Sequence, residues 1–216
     1  MNRLANSNKT MPEEFIRSVL APFGYPLSVG MVDSIGRYVQ LLQRWNRRIS
    51  LTSLENTKDI LERHFGESLL AVHAVPILHG RLADVGSGGG FPGLPIKIAS
   101  PRVDLVLIES NARKAAFLSE VIRSLGLSSI RVVNKRMEDI DSLRGSLDFV
   151  VARALGNIAA LLKWSRSSLR PSGRIVLWLG RKDSTEVSAT SGWTWRTAIL
   201  IPRSERRVLL VGEKNP

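Results

Sequence analysis

The chain has 216 residues, no cysteine, and 31 Lys and Arg residues against 19 Asp and Glu residues, for a formal net charge of +12. The lack of cysteine excludes disulfides, thiolate metal sites and any mechanism that uses a cysteine nucleophile. The length fits one α/β domain with a small extension, and the charge favours an anionic partner: RNA, DNA or a membrane surface.

The first third of the chain is predicted to be helical. Residues 1–10 are polar and predict a disordered start without the apolar segment of a secretory signal. On a first short helix over 12–23, Phe15, Val19 and Leu20 are expected on the apolar face. Apolar spacing and capping residues predict two further helices, one beginning at the Ser28 cap and one running from Thr57 to Leu69.

Neither a membrane span nor a metal site is expected. The longest apolar stretch, over 69–78, is interrupted by His73 and Pro76 and is too short to span a bilayer. The histidines of the chain do not form a metal cluster with nearby carboxylates. A cytoplasmic protein is therefore expected.

From residue 81 the pattern changes to short apolar runs that alternate with helical stretches, which predicts a parallel sheet covered on both faces. The candidate strands are 81–85, 103–108, 130–133, 147–151, 174–179, 195–201 and 207–211. Helices are expected over 112–125 and 158–169, the second one stopped by Pro171-Ser-Gly. No helix separates the last two strands, which favours a closing antiparallel hairpin. Seven-stranded methyltransferase sheets have this hairpin, and standard dinucleotide folds lack it.

The most informative motif is a glycine-rich loop directly after the first predicted strand. The strand ends at Asp84-Val85, and four glycines lie within residues 86–90, so backbone N–H groups can approach a ligand with no Cβ in the way. Glu109 closes the second strand about twenty residues later, near the spacing at which an acid reaches ribose hydroxyls. Together these two features predict a nucleoside cofactor.

Two cofactor classes remain open for this loop. Asp84-Val-Gly-Ser-Gly-Gly-Gly matches the D/E-x-G-x-G-x-G motif of S-adenosylmethionine enzymes and part of the looser glycine signature of NAD enzymes. A dinucleotide loop seats its pyrophosphate on a helix N-terminus, whereas here two prolines delay the helix. S-adenosylmethionine has no phosphate and needs close backbone approach and an acid for its amino group. The loop favours this cofactor, and an NAD-dependent oxidoreductase is the alternative.

The ends of the third and fourth strands carry further candidates. Met137 and Glu138 follow the third strand, where such a sheet abuts an adenine ring, and Arg153 follows the fourth, either as a ligand contact or as an ion-pair anchor for the loop. The Asn/Asp-Pro-Pro-aromatic turn of adenine-amine methylation, a cysteine for C5-pyrimidine methylation and the lysine spacing of ribose methylation are all missing. Guanine N7, which carries a free lone pair, needs no general base. No catalytic residue is therefore nominated.

From about residue 32 to residue 211, the chain resembles the bacterial ribosomal RNA small subunit methyltransferase G family, also called glucose-inhibited division protein B. The segments that carry the resemblance are 42–52, 63–69, 84–93, 109–118 and 151–154. It implies a class I, Rossmann-like α/β methyltransferase sheet over 79–216 and an N-terminal helical segment over 11–78. It also implies methylation of guanine N7, at position 527 of 16S rRNA, in a hairpin near the decoding site.

Site residues follow from the resemblance and from the loop. The residues expected to contact S-adenosylmethionine are Gly86, Gly88, Phe91, Glu109, Met137, Glu138 and Arg153. Position 137 is more often a small residue in the family. Glu67 stands where the family motif has an aspartate, three residues after His64, which leaves open whether His64 contacts substrate or only packs.

The expected partner is 16S rRNA or the small ribosomal subunit, with no membrane, no obligatory protein partner and a monomeric enzyme. The candidate phosphate contacts are Arg44, Arg47, Arg48, Arg113 and Lys114. Several such contacts make binding steeply dependent on salt, and RNA is read at splayed bases. A non-catalytic rRNA-binding assembly factor that has kept the fold is the second alternative.

Overall fold

The computed structural model describes residues 11–153 and 156–215; the predicted disordered start (1–10) and the end of the last resemblance segment (154) lie outside the described residues. Eight strands form one sheet: β1 (Gly80–Val85), β2 (Val103–Ile108), β3 (Ile130–Val133), β4 (Leu147–Arg153), β5 (Leu169–Gly180), β6 (Trp193–Trp195), β7 (Ile199–Leu200) and β8 (Arg207–Lys214). The order is β3-β2-β1-β4-β5-β8-β6, with β7 also paired to β8. The first five strands are parallel, and β8 is antiparallel to β5, β6 and β7.

The helices are α1 (Glu13–Leu20), α2 (Val29–Asn46), α3 (Thr57–Ile60), α4 (Glu67–Ala74), α5 (Gly93–Ala99), α6 (Ala112–Leu125), α7 (Ile158–Ser168) and α8 (Arg181–Ser188). A π-helical turn over Leu61–Gly66 joins α3 to α4, so the third predicted helix is continuous but locally underwound. The predicted cap of α2 is confirmed, because the Ser28 hydroxyl accepts from the backbone N–H of Met31 at 3.3 Å. The predicted late helix after the glycine loop is also confirmed, since α5 begins only at Gly93.

The predicted apolar face of α1 is wrong in one residue. Phe15 is 37 % exposed, whereas Ile16, Val19 and Leu20 are buried. Positions 16, 19 and 20 follow the i, i+3, i+4 spacing of one helix face, and Phe15 lies about 100° away from Ile16 around the axis.

Two strand boundaries near the C-terminus also differ from the prediction. Pro171-Ser-Gly does not separate α7 from the next strand: β5 already begins at Leu169, which pairs with Leu147 before the register shifts. Pro171 lies within this irregular part, where the ladder does not need its missing N–H. The candidate strand over 195–201 is split into β6 and β7. The antiparallel closure itself is confirmed.

Each face of the sheet has its own hydrophobic core, so the predicted covering of both faces is confirmed. One cluster joins α1, α2, α4, α5 and α6 to the sheet and has Tyr38, Phe65 and Phe117 at its centre. The other includes Leu161 of α7 and Trp193 of β6. The helices before residue 78 therefore share a core with the sheet and fix what lies beside its C-terminal edge. Among the described residues, no helix is long and apolar enough to cross a membrane.

Candidate active site

The glycine loop leaves the sheet at the C-terminal end of β1. The Gly86 N–H donates to the carbonyl of Ile108 at 2.9 Å, which ties the loop to the end of β2. Gly88 and Gly90 both have left-handed backbones, with φ of 55° and 86°, which favour glycine. A Cβ on Gly90 would overlap the Tyr38 hydroxyl, whereas a Cβ on Gly88 would meet only a backbone oxygen at 3.8 Å. Gly90 therefore serves packing, and Gly88 faces open space.

Glu109 braces this loop. Its Oε2 accepts from the Gly88 N–H at 2.8 Å, and its Oε1 accepts from the Asn111 N–H at 2.7 Å. A carboxylate has about four lone-pair positions, so these two bonds leave acceptor capacity for hydroxyl groups. The structure thus places Glu109 directly beside Gly88, and the predicted contact of Glu109 with ribose hydroxyls stays a prediction.

Asp84 lies beneath the loop and is fully buried. Its Oδ2 accepts from the Gly93 N–H at 2.9 Å, while its Oδ1 has no hydrogen-bond partner among the described residues. Burial raises the pKa of Asp84 to about 7, although the Gly93 bond and the charge of Arg153 act in the opposite direction. Buried polar atoms without a partner are rare in proteins. The free oxygen fits a ligand that brings a hydrogen-bond donor, such as an ammonium group.

Phe91 lies below the loop. Its ring stacks between Tyr38 (ring centroids 5.2 Å apart) and His64 (4.4 Å), and 5 % of the residue is exposed. Its side chain therefore supports the loop from the core.

Arg153 is the last residue of β4, not the residue after it as predicted. Its Nη1 donates to the carbonyl of Arg63 at 2.7 Å, and its Nη2 donates to Nδ1 of His64 at 2.8 Å. Its guanidinium carbon lies 5.6 Å from the ring centre of Phe91. Arg153 therefore connects the end of β4 to the π-helical turn and to the underside of the glycine loop.

His64 is neutral and has a defined tautomer. Burial, followed by the charges of Arg153 and Arg63, lowers the pKa of His64 to about 3. Because Arg153 can only donate, Nδ1 of His64 accepts, and the proton is assigned to Nε2, which donates to Thr52 Oγ1 at 2.8 Å. Thr52 Oγ1 also accepts from the Leu54 N–H at 3.1 Å. The structure shows a packing and hydrogen-bonding role for His64.

Thr52 was not nominated from the sequence. Asn46 holds it in place: Asn46 Oδ1 accepts from the N–H groups of Leu51 and Thr52, and Asn46 Nδ2 donates to the Thr52 carbonyl at 2.9 Å. The Trp-Asn and Leu-Thr pairs within residues 42–52 were the available signal. Their spacing places Asn46 at the end of α2, from which it reaches around the following turn.

Met137 and Glu138 follow β3, the strand next to β2. Met137 is buried in the same core cluster as Val85 and Ile108, the last residues of β1 and β2. Glu138 is exposed. Both residues therefore follow β3 at the edge where the first two strands end.

A cavity of about 350 Å³ opens beside the loop, over the C-terminal ends of β4 and β5. Its charged and aromatic wall consists of Arg63, His64, Glu67, Arg153, Trp178, Asp183 and Arg207. Local sequence patterns did not indicate it, because these residues come from several separate elements. The site therefore has two parts, the open surface of the glycine loop at Gly88 and this cavity, and Arg153 contacts both the cavity and Phe91 of the loop.

The predicted phosphate contacts are only partly brought together. Arg44, Arg48 and Arg113 line one cavity of about 280 Å³ between α2 and α6, with Trp45 in its wall. Arg47 lines a different cavity, together with Asn46 and Thr52 on the other side of α2. Lys114 is half-buried in the first turn of α6 and lines neither cavity.

Comparison with known proteins points to one family. A family model described as rRNA small subunit methyltransferase G matches residues 31–196. The Ribosomal RNA small subunit methyltransferase G of Sorangium cellulosum (strain So ce56) is 36% identical over 186 residues, which are 84% of this chain and 77% of that protein. The protein of the same name from Geobacter sp. (strain M21) is 33% identical over 178 residues, 81% of each chain.

Solved structures support the fold. A SAM dependent methyltransferase from Aquifex aeolicus aligns with a TM-score of 0.62 at 15% identity, covering 76% of this chain and 97% of that one. Precorrin-6y C5,15-methyltransferase from Geobacter metallireducens GS-15 aligns with a TM-score of 0.53 at 15% identity, covering 68% and 88%. The predicted Rossmann-like methyltransferase fold is confirmed.

Proposed function

Because this chain belongs to the ribosomal RNA small subunit methyltransferase G family, we propose that it transfers a methyl group from S-adenosylmethionine to N7 of a guanine in 16S rRNA. The family predicted from the motifs is confirmed by the match over residues 31–196. Two observations carry the proposed chemistry: the open space beside the backbone of Gly88 and the unpartnered Oδ1 of Asp84, at the two ends of the turn that follows β1. A nucleoside that bears an ammonium group suits both features.

In this proposal the methyl donor lies along the glycine loop, at the C-terminal ends of β1 and β2. The residues proposed to contact it are Gly86, Gly88, Glu109, Met137, Glu138 and Arg153, with the backbone of Phe91. Glu109 would accept from the ribose hydroxyls with the lone pairs that Gly88 and Asn111 leave free. Asp84 would accept from the ammonium group through Oδ1.

The chemistry requires orientation more than proton transfer. When bound, S-adenosylmethionine supplies a methyl group on a sulfonium: N7 forms the new N–C bond with its lone pair, and the electrons of the broken C–S bond remain on sulfur. Guanine N7 carries no proton, so no side chain has to act as a base. Placing the two reactants in line accounts for the rate enhancement. Neutral His64 then serves to hold Arg153 and Thr52 rather than to exchange a proton.

RNA binding is proposed for the arginines between α2 and α6. Arg44, Arg48 and Arg113 line one groove, and a chain with a net charge of +12 attracts a polyanion from any direction. Binding of phosphates there would hold a hairpin next to the site. The substrate would be 16S rRNA or the small ribosomal subunit, and the enzyme would act as a monomer.

The proposal is tested by incubating the protein with unmethylated small ribosomal subunits and isotopically labelled S-adenosylmethionine, then mapping the label by mass spectrometry. We expect one labelled guanine carrying a methyl group on N7. Label on a ribose, on an exocyclic amine or on protein, or no label at all, would contradict the proposed function.

A further inference from the structure

We infer that the cavity over β4 and β5 receives the target base, and that Glu67 and Arg207 read it as guanine through its N1–H and O6. This inference rests on the proposed function and names the pair of residues that selects the base.

Glu67 and Arg207 form a close but incompletely satisfied pair in the cavity wall. Glu67 is 3 % exposed, and its Oε1 lies 2.7 Å from Nη2 of Arg207. That contact is an ion pair without hydrogen-bond alignment, because Glu67 Oε1 and Arg207 Nε are both buried atoms with no hydrogen-bond partner among the described residues. The pair therefore leaves one buried acceptor and one buried donor unsatisfied, in two residues that both line the cavity.

A guanine is complementary to this pair. Its N1–H donates and its adjacent O6 accepts, so the carboxylate and the guanidinium would each gain one hydrogen bond. Adenine presents the opposite pattern at the same two positions and would leave both protein groups unpaired. A site built to form such bonds rejects a base that cannot form them. The last torsion of a glutamate side chain is broad, so the carboxylate can turn toward a ligand at little cost.

The cavity also provides space and a flat apolar surface. A volume of about 350 Å³ lies within the range of roughly 300–1,000 Å³ typical of small-molecule sites. Trp178 lines it, and the indole Nε1 donates to the Glu67 carbonyl at 3.0 Å, which fixes the indole and the start of α4 together. Leu161 and Leu177 complete the apolar wall. Extruded bases are held by such surfaces, with hydrogen bonds to one edge.

The cavity lies where the base must meet the methyl donor. Ala152 and Arg153 at the end of β4 line it, and Arg153 also borders the glycine loop through Phe91. O6 and N7 are neighbours on one edge of guanine, so a base held at O6 has N7 beside the held atom. The negative charge of the Glu67 carboxylate also stabilises the positive charge that the base acquires when N7 is methylated.

The first test uses the wild-type enzyme and base analogues. Small ribosomal subunits are reconstituted with guanine, inosine or 2-aminopurine at the methylated position, and kcat/KM is measured for each. All three bases have N7; inosine keeps N1–H and O6, whereas 2-aminopurine lacks both. We expect kcat/KM for inosine to lie within about fivefold of that for guanine. For 2-aminopurine we expect kcat/KM to be at least 100-fold lower, roughly the loss seen when a substrate leaves buried polar groups of the site unpaired.

The second test separates recognition from intrinsic reactivity of the bases. In Glu67→Gln, the guanine preference over 2-aminopurine is expected to fall at least tenfold, while calorimetry shows unchanged affinity for S-adenosylmethionine. The matched control is Glu62→Gln. Glu62 lies in the π-helical turn before α4, is paired with Arg203 and does not line this cavity. It should leave the preference unchanged.

The outcomes are distinguishable. If the wild-type enzyme methylates guanine and 2-aminopurine equally well, or Glu67→Gln lowers both rates by the same factor, the inference is overturned and the proposed function stands. If no guanine is methylated by the wild-type enzyme, the proposed function fails first. Should Glu67→Gln not fold, equal methylation of guanine and 2-aminopurine by the wild-type enzyme still overturns the inference, and Arg207→Gln replaces Glu67→Gln in the second test.

Discussion

A side chain added at Gly88 would overlap the proposed methyl donor but would contact almost no other part of the protein. We expect Gly88→Val to lower affinity for S-adenosylmethionine at least 100-fold, because the side chain would project into the open space where the donor is proposed to bind. The left-handed backbone, with φ of 55°, also destabilises the variant by about 1–3 kcal/mol. Isothermal titration calorimetry and urea unfolding measure the two effects.

Gly126 provides the matched control for this strain. It has a similar φ of 64° and nothing within 4 Å of an added Cβ, but it lies at the C-terminal cap of α6. Gly126→Val should be destabilised by a similar amount, about 1–3 kcal/mol, with unchanged affinity for the methyl donor. Equal donor affinities in the two variants would refute the placement of the donor at Gly88.

We expect donor binding to depend on pH through Asp84. Burial raises the pKa of Asp84 to about 7 from its usual 3.8, so the carboxyl becomes protonated below neutrality and loses its charge toward an ammonium group. Affinity for S-adenosylmethionine should weaken as the pH falls from about 8 to about 6, by up to tenfold per pH unit below the pKa. Calorimetry across this range measures it, and Asp84→Asn should give a flatter profile.

Folding stability should change in the opposite direction over the same range. Because the folded pKa lies above the unfolded value, the native protein binds more protons than the unfolded chain between pH 3.8 and about 7. The Asp84 contribution therefore favours folding more as the pH falls from about 8 to about 5. If the wild-type and Asp84→Asn proteins show the same pH dependence of unfolding free energy, this assignment of the pKa is wrong.

The π-helical turn is the element that brings the N-terminal helices to the active site. It carries Arg63 and His64, both bonded to Arg153, and its last residue, Gly66, packs directly against the ring of Phe23. Phe23 is itself buried and fixed in the core. The close approach of Gly66 and Phe23 therefore sets the distance between the turn and α1.

We expect Gly66→Ala to destabilise the protein by about 1–3 kcal/mol, because an added Cβ would overlap the Phe23 ring and overpacking costs that much. The helical gain of alanine over glycine, about 0.5–1 kcal/mol, is smaller, so the overlap dominates. Gly36→Ala in α2, whose Cβ would meet only Ile16 Cδ1 at 3.5 Å, should instead be stabilised by about 0.5–1 kcal/mol. Chemical unfolding of both variants distinguishes the signs.

At the scale of the whole molecule, the packing of α2 against α6 brings several arginines together on one surface to which RNA is proposed to bind. Arg44 and Arg48 of α2 and Arg113 of α6 line the same groove. We expect Arg113→Gln to weaken RNA binding and to reduce the slope of log affinity against log salt by about 0.7–0.9. Filter binding at several salt concentrations measures this slope.

Arg123 is the control on the same helix. Its guanidinium is already paired with Glu120 at 2.6 Å near the opposite end of α6, so Arg123→Gln should leave the slope unchanged. A similar loss of slope in both variants would mean that RNA is attracted by net charge alone and not by the groove.

Much of the fold was predictable because its signals are local in the chain. The runs of β1 to β4, the Ser28 cap and the delayed helix at Gly93 each depend on residues within a few positions of one another, and all three appear at the expected places. The predictions at Phe15 and at Pro171 were wrong because tertiary packing determined which helix face is buried and where the strand begins. Leu169 joins the sheet because Leu147 lies beside it, which the local turn residues do not indicate.

The family, the glycine loop and the acid that follows β2 could be read from the amino-acid sequence alone, since loop conformation and strand ends follow from short stretches of chain. Which charges meet and which stay unpaired became visible only in the folded molecule. Arg153 joins His64, and Arg207 joins Glu67, across elements far apart in the chain. Burial then sets the protonation of Asp84 and His64. Desolvation and charge pairing depend on the complete packed environment, which no local pattern of residues specifies.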